Sequence, residues 1–168
     1  LRKFDQRGLT LIPAIQFSSP LPALEKQLKQ EHGKAAGIEL IGDKGTSWVT
    51  TQSTRRGMAP YYNPTDPRVQ REMQRVIDEL VERYHHHPSF GGLAIQMSPE
   101  TYSQLPGPRW GLDAHTFERF LQATNPAAAN KKVALKDRLQ YLNGPKRQKW
   151  LAWRGQVLAD FYQNVSKR

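Results

Sequence analysis

Apolar and polar positions divide the chain into segments of different period. Residues 9–17 (Leu-Thr-Leu-Ile-Pro-Ala-Ile-Gln-Phe) form a short, almost wholly apolar run between Gly8 and Ser18-Ser19-Pro20. Such a run suits a strand of a parallel sheet, covered on both faces. Pro13 cannot donate to a strand ladder, so within a strand it fits best at a bulge. A second apolar run, residues 92–97 (Gly-Leu-Ala-Ile-Gln-Met), predicts a second buried strand.

Between them the period changes. Val69, Met73, Val76, Ile77, Leu80, Val81 and Tyr84 recur at spacings of three and four, which predicts an amphipathic helix over 67–84. Asp66 suits its N-cap, Pro67 its first turn, and His85-His86-His87-Pro88 its end. Shorter helices are expected from about 23 to 31, and after Asp113 through Ala114, Phe117, Phe120 and Leu121. A last helix is expected over 145–165, with Trp150, Trp153, Val157, Leu158, Phe161 and Val165 as its buried stripe. Residues 38–51 read as a hairpin about the Gly42-Asp43-Lys44-Gly45 turn. Residues 52–64 read as loop, and 125–132 as a connector.

The order is strand, long excursion, helix, strand, long excursion, helix. A strand–helix–strand crossover implies parallel pairing. Connections that follow strands build the binding face of α/β folds, so the two excursions are where function is expected. Two strands do not enclose a core, and a full eight-fold barrel takes roughly 250 residues. The chain therefore reads as a single partial domain, 1–168, the middle portion of a larger barrel. Leu1–Arg7 followed by Gly8 reads as the tail of a helix begun upstream.

Charge adds one alternative. The 168 residues carry a net +10, of which 131–168 hold +8. A basic tail suits either a solvated helix face or a polyanion such as nucleic acid, but no nucleic-acid-binding motif accompanies it. There is no Cys, which excludes disulfides and thiolate chemistry. No apolar run approaches the roughly 20 residues that span a bilayer, so no membrane partner is expected.

Several segments resemble the family 10-type glycosyl-hydrolase-like proteins, TIM barrels similar to clan A glycosidases. They are residues 7–17, 19–25 (Ser-Pro-Leu-Pro-Ala-Leu-Glu), 62–70 (Tyr-Asn-Pro-Thr-Asp-Pro-Arg-Val-Gln) and 83–96 (Arg-Tyr-His-His-His-Pro-Ser-Phe-Gly-Gly-Leu-Ala-Ile-Gln). The Trp150-Leu-Ala-Trp-Arg and Phe161-Tyr162 pairs in the last helix also match. The resemblance implies an α/β fold, a partial (βα)8 barrel with 9–17 as its third strand and 92–97 as its fourth. It also implies O-glycosidic bond hydrolysis by a carboxylate pair in the intact parent, with a carbohydrate ligand, no cofactor, and a secreted or periplasmic setting. Clan A enzymes carry Asn-Glu at the end of strand four, whereas this strand continues Gln96-Met-Ser-Pro-Glu100. The second carboxylate would come from strand seven, outside this sequence. A barrel that binds carbohydrate without cleaving it is therefore the alternative.

Glu100 is the one acidic residue within a few positions of either strand's C-terminal end. It reads as a general acid in a sugar cleft, or as an exposed loop residue. Trp48, Tyr61, Tyr62, Tyr102 and Trp110 fall in the two excursions and offer aromatic faces to sugar rings, or serve as packing anchors. Gln16, Asn63 and Gln96 can bond sugar hydroxyls or neighbouring backbone. Three consecutive histidines on a helix point about 100° apart and do not converge on one ion, so no metal site is assigned.

Overall fold

A computed structural model describes residues 1–30, 37–51, 62–129 and 133–167. Among them are seven α-helices: α1 (Arg2–Gln6), α2 (Pro22–Gln30), α3 (Trp48–Thr51), α4 (Pro67–Tyr84), α5 (Ala114–Thr124), α6 (Leu135–Asn143) and α7 (Arg147–Val165). Two strands, β1 (Ala14–Ile15) and β2 (Ala94–Ile95), pair in parallel with Ala14 opposite Ala94 and Ile15 opposite Ile95. The chain is mixed α/β, and its two apolar runs are neighbours in one sheet as their order predicts.

The regular pairing is shorter than the apolar runs. Leu11 bridges Phe90, three residues before Ala14 meets Ala94 four residues on. The second run thus holds one extra residue, and Gly92 absorbs it at φ +123°, a conformation that favours glycine. Pro13 sits across from this bulge and uses only its carbonyl, which accepts from Ala94 N at 2.9 Å.

The sheet has one covered and one open face. Ile15, Leu93 and Ile95 pack against a core of Phe17, Leu24, Ile38, Tyr62 and the α4 stripe Val69, Met73 and Ile77, with Leu158 and Phe161 of α7. Ala14, Gln16, Ala94 and Gln96, together with Ile12, are exposed. Helix α4 forms because its apolar residues share one face and Asp66 accepts from Arg68 N at 2.8 Å, satisfying an otherwise unpaired helix donor. Asp113 caps α5 in the same way, accepting from Thr116 N at 2.8 Å. A second core joins Phe117, Phe120 and Leu121 of α5 to Leu142 of α6 and Trp150 of α7.

Three expectations change. The 38–51 hairpin closes only as far as an Ile41–Ser47 bridge. Ser47 then accepts Thr50 N at 3.1 Å and turns the chain into α3, so Trp48 to Thr51 is helical and not a strand. Residues 135–143, where the sequence reading expects no element, form α6. On α7 the buried face includes Arg154, whose Nη2 donates to the Pro106 carbonyl at 2.7 Å.

Candidate functional site

The two excursions are laced together. Gly42 bridges Trp110, and the amides of Gly111 and Leu112 both donate to the Ile41 carbonyl at 2.9 and 3.0 Å. The turn 42–45 is thereby fixed beside 107–111, although 66 residues separate Asp43 from Arg109. At this junction Trp48 and Trp110 meet edge to face, 4.8 Å between centroids. The Trp110 ring also lies against Gly42, where an added Cβ would come within 2.9 Å of it.

A cleft of about 230 Å³ opens here, walled by Trp110, Asp43, Lys44, Thr46, Thr51 and Arg109. Arg109 Nε bonds Asp43 Oδ2 at 2.6 Å, with 76% of the Arg109 side chain exposed. The Thr46 and Thr51 hydroxyls stand 3.2 Å apart. An indole ring, two hydroxyls and an Asp–Arg pair offer an apolar surface beside polar atoms that could fix the orientation of a small ligand.

The other sequence-derived candidates fall into different places. Tyr62 and Tyr102 are buried, in T-shaped contact at 5.0 Å. The Tyr62 hydroxyl donates to Glu25 Oε1 at 2.5 Å and accepts from Leu21 N at 2.9 Å, while that of Tyr102 donates to the Ser19 carbonyl at 2.7 Å. Burial pushes both phenol pKa values well up. Asn63 is buried too, donating to Thr116 Oγ1 at 2.8 Å and accepting from the Thr65 amide and hydroxyl. These three side chains are buried and engaged within the protein, holding the excursions together, and none of them lines the Trp110 cleft. Tyr61 lies outside the described residues.

Gln16 and Gln96 are exposed on the open sheet face, at the C-terminal end of each strand. Glu100 is exposed in the turn after β2 and lines neither of the two clefts described here. Of the histidines, His87 Nδ1 bonds Asp5 at 2.7 Å and His85 Nδ1 meets the Val81 and Glu82 carbonyls. Among the described residues no group of three or more His, Asp or Glu side chains could hold a metal ion.

Sequence reasoning missed a second cleft. It measures about 290 Å³ and is lined by Glu25, Glu39, Leu28, Val49 and Tyr62 among others. Burial, and then the Glu25 charge, raise the Glu39 pKa. Asp43 and Arg109 were also missed, because nothing local in the sequence pairs them.

Comparison with family models, with curated proteins and with solved structures returns no match. Among the described residues, no helix is long and apolar enough to cross a membrane.

Proposed function

We propose that this chain contributes two neighbouring strands to a (βα)8 barrel of the glycoside-hydrolase type and binds carbohydrate in the Trp110 cleft. The observation that carries the binding is the convergence of both post-strand excursions on one cleft with an indole wall, paired hydroxyls and an Asp–Arg pair. The barrel reading draws support from the parallel register of β1 and β2. It draws more from the asymmetry of the sheet, with α4 on one face and Gln16 and Gln96 exposed on the other. In a barrel the open face turns inward, and further strands of the same barrel flank this pair.

A glycan array probed with the protein and with Trp110→Ala tests the reading. The protein retains at least one class of oligosaccharide, and the variant, still folded by circular dichroism, loses most of that retention. Equal retention by both would remove the cleft from the account. Hydrolysis is a separate question, tested in a protein carrying the whole barrel. Glu100→Gln lowers turnover by about 10²–10⁴-fold if Glu100 is the general acid; unchanged turnover makes it an ordinary loop residue, and a barrel that only binds shows no turnover in the parent either.

A further inference from the structure

The cleft adjoins the most basic part of the molecule. Gly45, at φ +75°, lies against the first residue of α6: a Cβ built there would stand 3.0 Å from Leu135 Cδ2. The N-terminal end of α6 is therefore beside the 42–46 turn that forms one wall of the cleft. Its N-cap is Ala134, which offers no side-chain acceptor to the first amides. Those amides carry partial positive charge directed out of the helix.

Two cationic side chains line the cleft and a third lies on the adjoining turn of helix. Lys44 is exposed in the cleft wall, Arg109 is 76% exposed, and Lys136 is exposed in the first turn of α6. Asp43 and Arg109 offset each other in charge, although Arg109 stays 76% exposed, and Asp137 lies in the same first turn as Lys136. Farther along, Arg147 and Lys149 are exposed on α7, which packs on α6. Residues 133–167 hold seven Lys or Arg against Asp137 and Asp160. Lys44 in the cleft wall and Lys136 at the adjoining start of α6 thus bring exposed positive charge to the aromatic cleft.

We infer that the ligand of the Trp110 cleft is an acidic carbohydrate, an oligosaccharide carrying carboxylate or sulfate groups that extends from Lys44 and Arg109 toward the start of α6. This rests on the carbohydrate reading and names its ligand class. One sugar ring lies on the indole while neighbouring anionic groups meet the cations. Such contacts are exposed, so each one contributes modestly and is screened by salt.

Matched pairs of probes decide the matter: oligogalacturonate with its fully methyl-esterified form, chondroitin sulfate fragments with desulfated chondroitin, and single-stranded DNA of similar charge. At low salt, at least one acidic carbohydrate is expected to bind ten or more times tighter than its neutral partner, an order-of-magnitude gap of about two or three such charge contacts. Its affinity falls as salt is raised from about 50 to 200 mM. Lys44→Gln and Lys136→Gln each weaken it about two- to fivefold, and Trp110→Ala weakens the acidic and neutral forms alike. The carboxylate and sulfate arms tell which anion is preferred. Equal binding of acidic and neutral partners overturns the inference and leaves the carbohydrate reading intact. Binding of no carbohydrate overturns both. DNA binding as tight as the best sugar, unaffected by Trp110→Ala, marks a general polyanion surface and also overturns it.

Discussion

The Tyr102 hydroxyl donates to the Ser19 carbonyl at 2.7 Å, tying the excursion after β2 to the excursion after β1. The same link is repeated in the backbone, where the Tyr102 amide donates to the Phe17 carbonyl at 3.0 Å. Tyr102→Phe keeps the ring contacts with Phe17 and Tyr62 and deletes only the hydroxyl. The Ser19 carbonyl then loses its partner, at a cost of about 1–2 kcal/mol. Urea unfolding should show a lower midpoint with unchanged slope. A midpoint equal to that of the parent would mean that water replaces the phenol.

Gly42→Ala tests whether the position of the Trp110 ring matters to the cleft. The new Cβ would lie 2.9 to 3.2 Å from three ring carbons, too close for the ring to stay where it is. The backbone at Gly42 is not left-handed, so the strain is purely one of contact. Overpacking of this kind costs about 1–3 kcal/mol. Trp fluorescence should shift, and retention on the glycan array should fall although no polar group of the cleft has been removed. Unaltered retention would show that the ring position is not part of recognition.

How much of this was legible in the sequence depends on how local each cause is. Helix α4 is legible because its apolar stripe, Asp66 and Pro67 all lie within 19 residues and all say the same thing. Both strands are legible as apolar runs, but their regular pairing is cut to two residues each, since Pro13 and Gly92 break the ladder at a point no single run reveals. Helix α6 is only nine residues long and has no capping side chain, so the spacing of Leu135, Leu139 and Leu142 stands without a start signal. Among the aromatics, Trp110 and Tyr102 look alike as loop residues. Tyr102 goes inside because its hydroxyl finds the Ser19 carbonyl 83 residues away, and Trp110 stays at the surface because Gly42 and Trp48 meet it there. Long-range partners of that kind have no sequence signature.

Glu39 gives a pH dependence of one sign. Burial and the neighbouring Glu25 raise its pKa above the usual 4.5, so the folded state holds its proton more tightly than the unfolded chain does. Stability from this group is present below the unfolded value and is lost as pH rises through the folded one. Glu39→Gln removes the titration. The variant should gain stability relative to the parent at pH 7 and lose that advantage near pH 4, as read from thermal midpoints at the two pH values. A constant difference between the two proteins would mean that the carboxyl is better solvated than its position implies.

Asp5 gives the opposite sign. It is the contact that fastens α1 to the turn between α4 and β2: Oδ1 accepts from Ser89 N at 2.9 Å and Oδ2 bonds His87 Nδ1 at 2.7 Å. Hydrogen bonding from Ser89, and then from His87, lowers its pKa from 3.8 to about 2. A depressed carboxyl stabilises the fold above its unfolded pKa, and that contribution is lost as pH falls from about 4 toward 2. The Ser89 amide reports the event directly, because it loses a charged acceptor when the carboxylate is protonated. Its proton resonance should titrate with a midpoint near 2 in the parent, well below an ordinary aspartate. In Asp5→Asn the side-chain oxygen still accepts but carries no charge, so the same resonance should stay flat over that range. The α1 amides should also exchange faster in the variant at neutral pH, since the contact to His87 has lost its charge. A parent midpoint at the ordinary value, with exchange equal in the two proteins, would show that α1 is held by its other contacts and that Asp5 is a bystander.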